Sequence, residues 1–200
     1  MAKPEASFEA NELTVKIFPD RLSMGQAAAR AGAEAIRKAL RERNEMISVA
    51  FAAAPSQNEF LDALVKQEDI EWQKVRAFQL CEYVGLPPDA PSSFAAYLRR
   101  RVFSKRDFGE IHYLCGDTES PESEASRYAE LLKDHPLDIA FIGIGENGHL
   151  AFNDPPVADF DDPLMAKVVA VDERSRLQQV TDGRFRFLEE VPVQALTLTI

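Results

Sequence analysis

Apolar and polar residues alternate along Leu13-Thr14-Val15-Lys16-Ile17-Phe18, a pattern that predicts a strand with one buried face. Pro19-Asp20 ends it, and the polar residues 1–12 before it read as a loose arm. From Ser23 to Arg43 the period changes. Ala28, Ala31, Ala35, Ile36 and Leu40 recur at helical spacing, which predicts an amphipathic helix facing a core. Ile47 to Ala54 is a continuous run of small apolar residues, the pattern of a strand covered on both faces. A helix then starts at Ser56 and carries Phe60, Leu61, Leu64 and Val65.

Val75 to Leu80 reads as the next strand. Pro87, Pro88 and Pro91 break the chain, and Ser92 or Ser93 caps a helix reaching about Val102. Ile111 to Leu114 is a short strand. Pro121 to Lys133 is a helix, with proline tolerated at its start and Glu122 and Glu124 favouring its N-terminus. Leu137 to Ile142, Met165 to Val171 and Val193 to Ile200 read as further strands.

Strand and helix thus take turns from residue 13 to about 142, which predicts an α/β fold. The expected form is a Rossmann-like, doubly wound three-layer sandwich with a mostly parallel sheet. Residues 1–200 read as a single domain. The final apolar run, ALTLTI, is either a closing strand or the sign of a missing C-terminal portion. Ligands of such sheets sit at the carboxyl ends of strands, so the loops after Ala54, Leu80, Leu114 and Ile142 are the places for chemistry.

Composition narrows the partners. A net charge of -10 disfavours nucleic acid and anionic membrane. An anionic metabolite remains compatible, provided arginines or helix N-termini supply local positive potential. Two cysteines, Cys81 and Cys115, suggest neither a disulfide framework nor a zinc site. The start of the chain lacks the apolar run of a signal peptide, and no stretch approaches ~20 consecutive apolar residues. A reducing cytoplasm fits this usage. A homo-oligomer is compatible with it.

The loop after Ile142 holds the clearest candidates. Gly143 and Gly145 allow close backbone approach to a ligand. His149 is one of three histidines and is able to take and return a proton at neutral pH. Asn147 and Asp154 share its loop, and Asp154 is placed to orient the imidazole. Read from the residues alone, the loop is either this or a glycine-rich turn with a structural histidine. Ser56 and Gln57, after Ala52-Ala53-Ala54-Pro55, are either a plain helix start or an anion site.

The whole string, GIGENGHLAFNDP, resembles the G-x-G-x-[DN]-G-H-[IL]-[AG]-F-N-[ED]-P signature of glucosamine-6-phosphate deaminases, of the ribose-5-phosphate isomerase/CoA-transferase-like superfamily. Phe78 with Cys81-Glu82-Tyr83-Val84-Gly85-Leu86 is similar to the family's F-x-M-D-E-Y-V-G-L. Val191-Pro192 with Ala195-Leu196-Thr197 is similar to its V-P-x-x-A-[LI]-T. The resemblance covers about residues 13–200, and family members continue for some tens of residues more.

The resemblance implies conversion of a phosphorylated amino sugar, glucosamine 6-phosphate, to fructose 6-phosphate and ammonia, with no cofactor and no metal. His149 matches the ring-opening proton carrier. Asn147 matches a position that is Asp or Asn, and Asp154 a supporting carboxylate that is usually Glu. Cys81 falls where the family has the Asp that moves a proton between C2 and C1. A thiol is mostly protonated at neutral pH. The position is therefore an inert residue of a site that has lost its main activity, a thiolate catalyst for altered chemistry, or a variant within an active relative. Glu82 is its neighbour, though adjacent side chains of an extended segment face opposite ways. Ser56, Gln57, Gly143 and Gly145 match the substrate and phosphate cradle, and Arg176, or Arg174 one register away, the phosphate arginine.

Two rival readings remain. One is a non-catalytic sugar-phosphate sensor. The other is a 6-phosphogluconolactonase-like hydrolase, whose loop continues toward Ser-Leu-Phe-Pro where this chain has Leu150-Ala151-Phe152-Asn153-Asp154-Pro155. Arg99 to Arg101 suit a helix C-terminus, and Asp159 to Asp162 a solvated loop or lid. His112, His135 and Cys115 receive no chemistry.

Overall fold

The computed structural model describes residues 3–199. The first two residues of the expected arm, and Ile200 of the expected last strand, lie outside the described residues.

The chain opens with strands β1 (Ala6–Ala10) and β2 (Leu13–Ile17), paired antiparallel with Phe8 opposite Val15. This corrects two expectations. Residues 6–10 form a strand, and β2 pairs with it outside the parallel sheet, with most of both strands exposed. Helix α1 (Arg21–Arg43) follows, capped by the Asp20 carboxylate, which accepts from the Ser23 amide at 2.7 Å. Its buried face runs through Gly25, Ala29, Gly32, Ala33, Ile36 and Leu40, while Ala28, Ala31 and Ala35 face solvent. The glycines shift the face. A Cβ at Gly32 would lie 2.9 Å from the Phe141 ring, and one at Gly25 would lie 2.5 Å from Glu59 Cβ. Close approach, rather than alanine content, decides which side packs.

Next come β3 (Ile47–Phe51), α2 (Asn58–Leu64), β4 (Val75–Gln79) and β5 (Cys81–Tyr83). Helix α3 (Phe94–Leu98) is capped by Ser93 and continues as a π-helical turn to Phe103. Then follow β6 (Glu110–His112), α4 (Pro121–Asp134), β7 (Ile139–Phe141), β8 (Ala166–Ala170), α5 (Glu173–Thr181) and β9 (Gln194–Leu198).

The main sheet has the order β6-β4-β3-β7 and is parallel throughout. One face of β3 packs Val49 and Phe51 against Ile36, Leu61, Leu64 and Leu98. The other turns Ala50, beside Phe78, toward Tyr128 and Leu132 of α4 and Leu196 and Leu198 of β9. Helices therefore cover both faces, as the alternating pattern predicts. A second sheet, β5-β9-β8, is antiparallel and was not foreseen. The chain leaves the main sheet at Leu80, whose carbonyl accepts from the Leu198 amide at 3.0 Å, and Cys81 pairs with Thr197.

Strand order reverses at β3. The chain moves outward to β4 and β6 on one side, and β7 returns to the other. A crevice at the carboxyl ends of β3 and β7 is the expected ligand position of such a sheet.

Candidate active site

A cavity of about 230 Å³ occupies that crevice, with Ser56, Cys81, Phe94, Gly143, Gly145 and His149 in its wall. The loop after β7 builds one side. Gly148, at φ +88°, turns the chain, and the Gly145 amide donates to the His149 carbonyl at 2.9 Å. The imidazole then lies against Gly145, where an added Cβ would stand 2.4 Å from Nε2. Gly145→Ala is expected to dislodge the ring and cut turnover at least tenfold with little change in melting temperature. Unchanged turnover in the folded variant would exclude a positioned His149.

The rest of the loop is bolted to β9. The Phe152 amide donates to Thr197 Oγ1 at 3.1 Å, and Asn153 Nδ2 donates to the Leu198 carbonyl at 2.8 Å. Phe152 packs against Tyr83 and Phe94. The Phe-Asn pair of the loop is thus an anchor that holds His149 at the cavity.

Around His149 the polar groups converge. Its Nδ1 lies 2.6 Å from Asn147 Oδ1 and 3.1 Å from Asp154 Oδ1. Asn147 Nδ2 donates to Asp154 Oδ1 at 2.8 Å, which fixes the amide with its oxygen toward the ring. Ser175 Oγ also bonds Asp154 Oδ1 and lies 3.1 Å from His149 Nδ1. Burial pushes the fully enclosed Asp154 carboxyl up. Hydrogen bonds from His149, Asn147 and Ser175 outweigh it and hold the group at about 2. Asp154 is therefore a carboxylate at neutral pH. The anionic Asp154, the Asn147 amide oxygen and the Ser175 oxygen together face Nδ1, so the neutral ring keeps its proton there and leaves the Nε2 lone pair free.

Cys81, on the opposite strand, behaves differently. Burial pushes its thiol well above the usual range, the Glu82 charge adds to this, and Arg184 opposes it. The group facing the cavity is a neutral S–H.

A family model described as glucosamine-6-phosphate isomerases/6-phosphogluconolactonase matches residues 19–180. The chain belongs to this family. A glucosamine-6-phosphate deaminase of Listeria monocytogenes serotype 4a is 36% identical over 148 residues, covering 74% of this chain and 61% of that one. A solved monomeric glucosamine-6-phosphate deaminase superposes with a TM-score of 0.78 at 27% identity, covering 90% of this chain and 73% of that one. A 6-phosphogluconolactonase of Shewanella baltica gives a TM-score of 0.68 at 17% identity, covering 91% and 72%, and shares the fold. This chain spans about half to three-fifths of the length of the curated relatives it matches.

Within this family member, the expected site residues divide. His149, Asn147 and Asp154 form one connected group, and Cys81, Ser56, Gly143 and Gly145 face the same cavity. Asp154 reaches His149 directly, so no water is needed to replace the longer glutamate. Ser56 sits inside a 3₁₀ turn, Pro55–Gln57, with no capping bond to α2, which begins at Asn58 and so corrects the expected helix start at Ser56. Gly143 lets the two loops meet: a Cβ there would lie 3.3 Å from Ser56 Oγ and 3.2 Å from Gln57 Nε2.

Beyond the His149 group, three candidates fall outside the cavity wall: Gln57, which is buried and donates to the Ile142 carbonyl at 3.5 Å, Glu82 and Arg176. Glu82 is buried and accepts from the Phe94 and Ala95 amides at 3.1 and 2.8 Å, from Ser93 Oγ and from Gln79 Nε2. It holds the start of α3 and is no spare base. Arg176 donates to the Leu188 carbonyl at 2.7 Å and the Val191 carbonyl at 3.0 Å, latching the turn before β9. Arg174 is exposed, and neither arginine faces the cavity.

Positive charge comes instead from residues not singled out in the sequence. Arg21 stands at the cavity, bonded to Glu59 and to the Pro55 carbonyl at 2.8 Å. Arg184 lies behind the wall, its guanidinium 4.4 Å from the Phe94 ring centroid and bonded to the Ser92 carbonyl at 3.1 Å. Gln178, Gln179 and Asp182 of α5 and its end also face the cavity. The stretch Asp159 to Asp162 is pinned by Lys167, which bonds Asp162 at 2.7 Å and the Val157 carbonyl at 2.9 Å. Among the described residues, no His, Cys, Asp or Glu cluster is arranged to hold a metal ion, and no helix is long and apolar enough to cross a membrane.

Proposed function

We propose that this chain carries the substrate cavity and ring-opening machinery of a cytoplasmic amino-sugar-phosphate deaminase/isomerase, acting on glucosamine 6-phosphate to give fructose 6-phosphate and ammonia. Family membership supports the substrate class. The observation that carries the chemistry is the His149–Asp154 pair, with the Nε2 lone pair free beside the cavity. His149 takes the proton of the anomeric hydroxyl and returns it to the ring oxygen as the C1–O5 bond breaks and C1=O1 forms. Asp154 stabilises the imidazolium between the two transfers. Ser56 and Gly143, with the charge of Arg21, form the phosphate end.

The next step moves the C2 proton to C1, after which water releases ammonia from the resulting C2 iminium. Cys81 is the group on the wall for this step, and a neutral thiol is a poor acceptor of a carbon-bound proton. Ring opening is therefore intact and the carbon-bound transfer is slow.

Ammonia release from glucosamine 6-phosphate, measured beside ligand-induced thermal stabilisation, tests this reading. Stabilisation by glucosamine 6-phosphate but not by glucosamine is expected, with slow ammonia release. Stabilisation with no release would make the chain a sensor, and neither would remove the substrate assignment.

A further inference from the structure

Helix α5 buries a single side chain among its nine residues, and that side chain is the polar Ser175, 2% exposed. A surface helix docks through an apolar stripe. This one instead docks a hydroxyl between the imidazole and the carboxylate of the site. We propose that Ser175 is a positioning residue for His149, holding the imidazole in its Nδ1–H form and Asp154 in the orientation that serves it. The inference rests on the ring-opening reading above.

A serine hydroxyl has one proton and two lone pairs. Asp154 is ionised and only accepts, so the Ser175 proton goes to Asp154 Oδ1. The Ser175 oxygen then presents a lone pair to His149 Nδ1 at 3.1 Å. Nδ1 is thus surrounded by acceptors, Asn147 Oδ1, Asp154 Oδ1 and Ser175 Oγ, which together hold the ring proton on that nitrogen. The backbone adds a second tie. Asp172 caps α5, and its own amide donates to Asp154 Oδ2 at 3.4 Å, so the start of the helix and Ser175 grip both carboxylate oxygens. Without the hydroxyl, Nδ1 loses one acceptor and Asp154 Oδ1 one of its donors, Asn147 Nδ2 remaining, so the carboxylate and the ring are both freer to turn and the single Nδ1–H form is no longer enforced.

The test reads the ring rather than the reaction. In the ¹⁵N-histidine spectrum of the free protein near pH 8, wild-type His149 is expected as one tautomer, protonated at Nδ1. Ser175→Ala is expected to lose that single-form signature and to give averaged ring shifts. Ser175→Thr, which keeps the hydroxyl, is expected to restore it. Wild-type ring shifts in a folded Ser175→Ala protein would overturn the proposal. If Ser175→Ala does not fold, Ser175→Cys serves: its weak donor must give averaged shifts, and a wild-type spectrum overturns the proposal equally. Where turnover is measurable, kcat falls about tenfold with KM held within about twofold. Absence of turnover in wild type would sink the enzymatic reading while leaving the tautomer result to stand or fall alone.

Discussion

Replacing Cys81 by aspartate is expected to raise turnover of glucosamine 6-phosphate about 10²–10⁴-fold, the usual worth of a general base. The two side chains are close in volume, so the wall of the cavity keeps its shape. What changes is the charge state. Burial and the neighbouring Glu82 hold the thiol protonated, so it has no lone pair of useful basicity for a C–H proton. The same surroundings would raise an aspartate above the ordinary carboxylate range, with Arg184 limiting the rise. A carboxylate raised toward neutrality is a stronger base than an exposed one. Cys81→Ser, which restores no carboxylate, is expected to match wild type. A folded Cys81→Asp protein that binds the sugar phosphate without faster ammonia release would show that the C2 proton is not handled from this position.

The parallel core was legible because its signals are local. Ile47 to Phe51 and Ile139 to Phe141 are apolar runs flanked by turn residues, and they pair as the centre and edge of the main sheet. The cavity loop was legible for a related reason: Asn147, His149 and Asp154 lie within eight residues of one another. What escaped was set by tertiary contact. Cys81–Tyr83 looks like the tail of β4, and only the distant β9 gives it a separate partner. Ser175 carries no periodic or motif signal, and its role appears only when α5 folds back onto Asp154. The arginines show the same limit. Arg176 and Arg184 are indistinguishable as charges in a sequence. The first spends its donors on the Leu188 and Val191 carbonyls, whereas the second lies behind the cavity wall on Phe94. Glu82 was placed next to the chemistry by its number, but its carboxylate is committed to the amides at the start of α3.

Asp154 should leave a measurable mark on stability as pH falls. Its folded value of about 2 lies below the ordinary 3.8, so the native state binds fewer protons than the unfolded chain. The stabilisation is complete above the unfolded value and is lost as pH drops from about 4 to about 2. By the pKa difference it amounts to roughly 2 kcal/mol. Glu110, held at about 2 chiefly by its hydrogen bonds from Arg76, titrates in the same window. The informative quantity is therefore the difference between wild type and Asp154→Asn in urea midpoints from pH 5 to 2. That difference should shrink toward acid, because wild type loses a carboxylate the variant never had. A constant difference would mean that Asp154 has the same pKa folded and unfolded, and a difference growing in wild type's favour toward acid would mean that it is protonated in the native state. Truncation is harsher: Asp154→Ala leaves Asn147 Nδ2 and the Ser175 hydroxyl without their buried acceptor. It is expected to cost about 2–6 kcal/mol, at about 1–3 kcal/mol for each of the two buried donors left unsatisfied. Asp154→Glu keeps the charge and should recover most of the turnover lost in Asp154→Asn, because the relay needs an anion behind Nδ1 more than it needs this side-chain length.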